Sequence, residues 1–284
     1  MLTLERINAH RAQTFRTRED LRIHTKEAAI EHVNDRGFVM FWPIKGVLMP
    51  SLWHAVAGDR PVADAHDDPG HVTWGWKDSL LGQRVWYYAK VLRRKATIIS
   101  LSVAPYYYAL SENFGEPEED YLYQYRDGTM TLEAKQIYEA LLESGPLHAV
   151  ALRRAVSMTD NASKYRFNRG LELLQADFKV LPIGVAEAGA WNYAFIYECV
   201  HRHHPEILER AREIQIGEAQ RTLLALYIRS VGAARLEDMA KVFQWPAHEV
   251  ERAIDALAAE GTVVSGLEVA GQKGPWIAQP ELAA

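Results

Sequence analysis

The chain has 284 residues, a formal net charge of −5, 48% hydrophobic residues and 24% charged residues, a composition typical of folded globular proteins. The negative net charge excludes a uniformly basic protein that coats nucleic acid, so a surface that binds anions must be confined to particular segments. A single cysteine, Cys199, excludes disulfides within the chain and zinc sites built from cysteines.

Targeting and cofactor signals are missing from the sequence. The N-terminal residues MLTLERINAHRAQ carry charges where a signal peptide requires an apolar core. No stretch approaches the roughly 18 apolar residues of a membrane span, so we expect a cytoplasmic protein without a membrane partner. Phosphate-binding loops, dinucleotide-binding fingerprints and nucleophile elbows do not occur. The histidines and aspartates of residues 63–71 lack the spacing of metal ligands, and we expect neither a metal nor another cofactor.

The first predicted unit covers residues 1–125 and contains three helices followed by a strand. Gly37 ends the first helix, Pro50 precedes the second, and apolar residues at helical spacing define the third. An acidic stretch then serves as a linker to the next unit. The predicted elements are helices at 25–36, 51–58 and 78–95, a strand at 96–103 and a linker at 105–121.

Two further predicted units, 126–212 and 213–284, share one order of elements: three helices and then a hairpin of two strands. In the second unit, Gly145 and Pro146 end the first helix. In the third unit, Gly232 ends the first helix. The predicted helices are 131–144, 147–157, 163–176, 218–230, 235–243 and 246–260, and the predicted strands are 178–186, 191–200, 262–270 and 275–277.

This order is typical of winged helices, so the predicted fold class is α+β, mainly helical, with about three tandem winged-helix units. A winged helix places a recognition helix in the major groove of DNA, where basic residues neutralise phosphates. Because the third unit is acidic, we expect the first two to contact double-stranded DNA. The predicted DNA-binding residues are Lys77, Arg84, Lys90, Arg93 and Arg94 in the first unit and Arg153, Arg154, Lys164, Arg166 and Arg169 in the second.

Four segments carry a resemblance to a known family. They are GFVMFWPIKGVLMPSLW (37–53), TWGWKDSLLGQRVWYYAKVLRR (73–94), GPLHAVALRR (145–154) and ALYIRSVGAARLEDMAKVF (225–243), of which the tryptophan-rich segment is the most specific. Their order resembles the AlkZ-like (YcaQ-type) winged-helix DNA glycosylases of bacteria. The resemblance implies tandem winged helices that act on damaged DNA. It also implies hydrolysis of the N-glycosidic bond of alkylated or crosslinked bases without a metal.

The catalytic motif of that family is Gln-x-Gln or Gln-x-Asp, placed after a glycine, an aromatic or apolar residue and an apolar residue. Here Gly37, Phe38 and Val39 supply that frame, and Met40 and Trp42 occupy the two polar positions. Cleavage builds positive charge on the sugar, which an amide or a carboxylate stabilises and these two side chains cannot. The chain therefore resembles a divergent member of that family, and the sequence leaves open whether it retains hydrolysis.

Asp78 is the candidate for the missing catalytic group, because it is the acidic residue of the basic segment TWGWKD. The alternative is a cap on the helix that follows. Trp74 and Trp76 are candidates for stacking on an exposed base, and the alternative is packing in the core. We expect a DNA-binding protein of DNA repair, either an N-glycosylase or a catalytically inactive binder or regulator. A protein-interaction scaffold is the remaining alternative.

Overall fold

A computed structural model describes residues 2–113, 115–189 and 191–284. The mixed and mainly helical character predicted from the sequence is confirmed. The helices are α1 (Leu4–Thr14), α2 (Lys26–Arg36), α3 (Leu52–Ala57), α4 (Val72–Leu80), α5 (Ala104–Ala109), α6 (Pro117–Arg126), α7 (Leu132–Ser144), α8 (Ala149–Ala155), α9 (Asn161–Ala176), α10 (Val200–His203), α11 (Pro205–Ala211), α12 (Ile216–Val231), α13 (Leu236–Phe243), α14 (Ala247–Ala259) and α15 (Pro280–Ala283). The strands are β1 (Phe38–Met40), β2 (Tyr87–Lys90), β3 (Ala96–Ile99), β4 (Leu147–His148), β5 (Val180–Ala186), β6 (Ala194–Cys199), β7 (Ala233–Ala234), β8 (Val264–Leu267) and β9 (Trp276–Ala278).

Contacts divide the chain into two compact units. The first, called the central unit here, consists of Trp76–Thr97 and Ala104–Ile214. In it, α7 packs on α9, and both pack on an antiparallel sheet with the strand order β4-β6-β5. The sheet register aligns Val180 with Cys199. The buried core of this unit includes Ile137, Tyr138, Leu141, Leu152, Phe167, Leu174 and Tyr197.

Local sequence explains why α9 forms and where it packs. The carboxylate of Asp160 caps the helix by accepting a hydrogen bond of 2.9 Å from the backbone N–H three residues later. Phe167 and Leu174 recur at helical spacing and are buried in the core. Gly170 marks the crossing with α7, because a Cβ there would lie 2.9 Å from the backbone nitrogen of Ala134. One face of α9 is therefore fixed against α7, and the opposite face is left for solvent.

The second unit, called the terminal unit here, consists of the described residues up to Gly75 together with Ile98–Val103 and Gln215–Ala284. Its centre is α12, which packs against α1, α2 and α14. Arg11 of α1 donates a hydrogen bond of 3.0 Å to the backbone oxygen of Val231, at the end of α12. An antiparallel sheet with the strand order β7-β9-β8 closes this unit.

One order of elements occurs in both units. In the central unit, α7 is followed by β4, α8, α9, β5 and β6, and in the terminal unit α12 is followed by β7, α13, α14, β8 and β9. In each case the short strand after the first helix pairs with the last strand of the hairpin. The two compact units follow contacts rather than this repeat, so the division at residues 126 and 213 stays a prediction.

The long helix predicted at 78–95 is wrong. Helix α4 ends at Leu80, and a strand, β2, and a 3₁₀ turn at Leu92–Arg94 take up the rest of the segment. Gly82 has a φ of 76° and Arg84 a φ of 55°, both in the left-handed region that interrupts a right-handed helix. The sequence Val-Trp-Tyr-Tyr at 85–88 consists of β-branched and aromatic residues, which favour strands.

The linker predicted at 105–121 is also wrong, because it contains most of α5 and the start of α6. Tyr107 and Tyr108 of α5 are buried and lie against Phe178. Pro117 begins α6, and the acidic residues after it occupy the first turn, where their negative charges interact favourably with the helix dipole. The sequence alone does not indicate that Tyr107 and Tyr108 are buried, because Phe178, against which they pack, lies far along the chain. Phe114, within that predicted linker, is outside the described residues.

Candidate nucleic-acid interface

Three of the predicted DNA-binding residues are exposed together on the outer face of α9, the side of the helix that faces solvent. Lys164, Arg166 and Arg169 are all exposed. Tyr165, on the same helix, is 71% exposed and is an additional candidate for contact with DNA. Arg166 also lies 3.3 Å from the carboxylate of Glu133. Tyr165 and Arg169 therefore lie near the middle of the solvent-exposed side of α9, and Lys164 and Arg166 lie toward its two edges, because residues two positions apart on a helix point in different directions.

The two arginines at the end of α8 have different environments. Arg153 is half-buried, and its guanidinium donates hydrogen bonds of 2.8 Å to the backbone oxygens of Met158 and Asp160. It thereby holds the turn between α8 and α9. Arg154 is exposed. Of these two predicted DNA-binding residues, the structure leaves Arg154 accessible to a phosphate and gives Arg153 a structural role.

The predicted contacts at 84–94 lie beside α9 rather than on a helix of their own. The ammonium of Lys90 is 2.7 Å from the carboxylate of Glu172 on α9. The 3₁₀ turn that carries Arg93 and Arg94 packs against the same helix, and both side chains are half-buried. Arg84 is exposed and forms an ion pair with Glu206. The fold thus gathers Lys90, Arg93 and Arg94 around α9, whereas Arg84 is paired at α11.

Lys77 is buried, which corrects the expectation that it contacts phosphate. Its ammonium lies 2.6 Å from Oδ1 of Asp78 and donates a hydrogen bond of 3.0 Å to the hydroxyl of Tyr193. The same hydroxyl donates a hydrogen bond of 2.9 Å to Oδ1 of Asp78. The rings of Phe195 and Tyr88 surround the ammonium, with the Phe195 centroid 4.4 Å away. We call Lys77, Asp78 and Tyr193 the buried triad.

Burial lowers the pKa of Lys77, because desolvation penalises the charged form, and the hydrogen bond to Asp78 opposes that shift. Asp78 lies in the last turn of α4, so its interpretation as a cap at the start of a helix is wrong. Its side chain is partly exposed. The geometry therefore gives Asp78 one clear role, as the counter-ion of a buried lysine, and leaves part of its carboxylate accessible.

Met40 and Trp42, the residues predicted to occupy the polar positions of the family motif, lie in the terminal unit. Met40 is buried, and its backbone N–H donates a hydrogen bond of 2.9 Å to the oxygen of Pro50. The ring of Trp42 lies 5.5 Å from that of Trp74, at an angle of 53°. Trp74 is 40% exposed. The motif positions thus carry a core methionine and an aromatic pair, and neither offers a carboxylate or an amide.

Trp76 is buried in the central unit, so packing rather than stacking on a base describes it. Sequence reasoning had treated Trp74 and Trp76 alike. A helical pattern places residues two positions apart on different faces, and that signal would have separated them. Tyr193 was missed because its role depends on Lys77, which lies 116 residues away along the chain.

Among residues 2–113, 115–189 and 191–284, no group of three or more His, Cys, Asp or Glu side chains is placed to hold a metal ion. No helix within these ranges is long and apolar enough to cross a membrane.

Comparisons with known proteins agree with the resemblance noted in the sequence. Residues 23–244 match the model of a family described as AlkZ related. Among solved structures, the chain is similar to the Streptomyces sahachiroi DNA glycosylase AlkZ, with a TM-score of 0.58 and 13% sequence identity, over 99% of this chain and 72% of that chain. No curated protein sequence matches the chain. At this identity the structural similarity establishes the fold, and the family match covers most of the chain.

Proposed function

The chain belongs to the AlkZ-related family, and we propose that it binds double-stranded DNA through the outer face of α9. The observation that carries this proposal is the set of exposed cations on that face: Lys164, Arg166 and Arg169. Their helix is rigidly backed by α7, so the charges keep a fixed spacing. Cations fixed in this way neutralise phosphates and release the counter-ions condensed on a duplex.

The order of elements around α9 supports a winged-helix assignment. In this assignment α7, α8 and α9 are the three helices, α9 is the recognition helix, and β5 and β6 form the wing. The segment from α12 to β9 is a second copy, and residues 1–125 are a third and looser one. The acidic character of the last copy fits packing better than contact with phosphate.

The salt dependence of duplex binding tests this proposal. The variant with Lys164, Arg166 and Arg169 all changed to Gln is compared with the wild type over a series of salt concentrations. Each phosphate contact makes the slope of log affinity against log salt more negative by about 0.9, so loss of three contacts makes the slope less steep by about 2.7. Fluorescence anisotropy with a labelled duplex of undamaged sequence measures both slopes.

A matched control removes three exposed cations from the terminal unit, by changing Arg6, Arg252 and Lys273 to Gln. Net charge changes by the same amount in both variants, so a general electrostatic effect would make both slopes less steep by the same amount. The proposal expects the slope of the control to stay near that of the wild type. A wild type without salt-dependent binding, or equal losses in the two variants, would refute it.

A second candidate function is hydrolysis of the N-glycosidic bond of a modified base, and the accessible part of the Asp78 carboxylate favours it. That carboxylate would stabilise the positive charge that develops on the sugar. Met40 and Trp42 argue against hydrolysis, because they occupy the positions of the polar motif. DNA binding is therefore the better supported of the two functions, and an assay for base removal tests the other.

Formation of abasic sites in a duplex that carries a bulky purine N7 adduct decides between these functions. Hydrolysis requires that the wild type produce abasic sites and that Asp78→Asn not do so. Tyr193→Phe is the matched control, because it removes a hydrogen bond to the same carboxylate and keeps the carboxylate itself. Circular dichroism establishes that both variants are folded. A silent wild type that still binds the duplex is the result expected for a binding protein.

A further inference from the structure

Trp191 is the most exposed large apolar side chain among the described residues, at 91% of its full accessibility. It lies between β5 and β6, at the end of the hairpin where Ala186 pairs with Ala194. Tryptophan side chains are usually buried to a large extent, since exposure of the indole to water is unfavourable. An indole exposed to this extent at the end of a hairpin is accessible to a binding partner.

Residues with left-handed backbone conformations lie on both sides of Trp191 in the sequence. Gly189 has a φ of 82° and Asn192 a φ of 50°, so residues on either side of the indole adopt the left-handed conformation of tight turns. A Cβ on Gly189 would lie 3.5 Å from the side chain of Val150 in α8. Gly189 thus lies close to α8, while the indole of Trp191 is exposed to solvent.

The buried triad anchors this hairpin two residues after Trp191. The hydroxyl of Tyr193 is bonded to both Lys77 and Asp78, and Phe195 packs against the same ammonium. Charge-assisted hydrogen bonds join the hydroxyl of Tyr193, the residue before β6, to the buried ammonium of Lys77 and the partly exposed carboxylate of Asp78. The hairpin is therefore held at Tyr193, two residues after the exposed indole.

We propose that Trp191 is a wedge that stacks at a base step of the duplex bound by α9. The inference rests on the proposed function, since the partner is the same DNA. The exposed cations Lys164, Arg166 and Arg169 belong to the same unit and favour a polyanion as the partner over an apolar protein surface. Apolar wedges unstack a base step and bend the duplex, and stacking on an aromatic ring offsets part of that cost.

Duplexes that carry 2-aminopurine at successive positions test this inference with the full chain. The fluorescence of 2-aminopurine rises when its stacking in the duplex is disturbed. The wild type is expected to raise the signal at one or two adjacent positions, and Trp191→Ala to abolish the rise and weaken binding about tenfold. Trp191→Phe keeps an aromatic ring and is expected to retain most of both effects.

Ile216→Ala is the matched control, because Ile216 is a large apolar side chain, 61% exposed, in the terminal unit. It is expected to bind and to disturb stacking as the wild type does. A wild type that binds with salt dependence but raises the signal at no position refutes the wedge and leaves the proposed function standing. Equal signals from wild type and Trp191→Ala refute it in the same way. A wild type that does not bind duplex refutes both.

Discussion

Acidification from pH 7.5 to pH 5 is expected to destabilise the terminal unit, and His32 of α2 makes a contribution that can be measured separately. His32 is buried, and neither ring nitrogen has a hydrogen-bond partner among the described residues. Burial lowers its pKa from 6.5 to about 3, and the nearby Arg16 and Arg36 act in the same direction. The folded protein therefore holds His32 neutral at a pH where the unfolded chain would protonate it.

The sign and size of the effect follow from proton linkage. Between pH 6.5 and pH 3 the unfolded state binds the extra proton, so the free energy of unfolding falls as the pH falls. With these two pKa values, the loss from His32 at pH 5 is about 2 kcal/mol relative to pH 7.5. Such a loss is a large part of the stability of an ordinary domain.

Urea unfolding of the wild type and of His32→Leu at both pH values measures this contribution. The informative quantity is the change between the two pH values within each protein, because substitution also alters the packing at either pH. The wild type should lose about 2 kcal/mol more than His32→Leu on acidification. His24→Gln, a change at an exposed histidine, should behave as the wild type does. An equal pH dependence in wild type and His32→Leu would show that the reasoning is wrong.

The remaining predictions concern the central unit, and urea unfolding monitored by circular dichroism measures each. Asp160→Ala removes the cap of α9 and should cost about 1 kcal/mol; an unchanged midpoint would contradict the capping role. Leu174→Ala deletes a fully buried side chain and should lower the free energy of unfolding by about 3 kcal/mol. A smaller loss than that of Asp160→Ala would contradict this prediction. Asp78→Asn leaves the ammonium of Lys77 buried without its carboxylate and should cost about 3 kcal/mol. Lys77→Met removes the buried charge itself and should cost less, and the reverse order would refute the ion-pair account.

Several elements could be predicted from the sequence because their signals are local. The helix predicted at 25–36 appears as α2, with Thr25 as its cap and Gly37 at its end. The predicted helix at 131–144 appears as α7 between Thr131 and Gly145. Caps and glycines act over three or four residues, so a single sequence contains all the information they need.

The segment 78–95 shows where local signals failed. Its apolar residues occur at a spacing compatible with a helix, but the chain contains a strand there. Tyr87 stacks on Phe178 with ring centroids 4.4 Å apart, and Tyr88 packs against Phe195. These partners lie far along the chain, and burial on both sides of a strand stabilises β2 more than a half-buried helix would be stabilised.

For the candidate site too, some features were evident from the sequence and others depended on the tertiary structure. The sequence by itself indicated the positive charge of α9, and its resemblance to the AlkZ-like family predicted the loss of the polar motif at Met40 and Trp42. The tertiary structure decided which cations face solvent: Lys164 and its neighbours are exposed, and Lys77 is buried beside Asp78. The physical reason is that a charge is available to a ligand only when nothing else in the fold covers it. For Lys77 that cover is Tyr193, a residue 116 positions away whose proximity only the folded chain reveals.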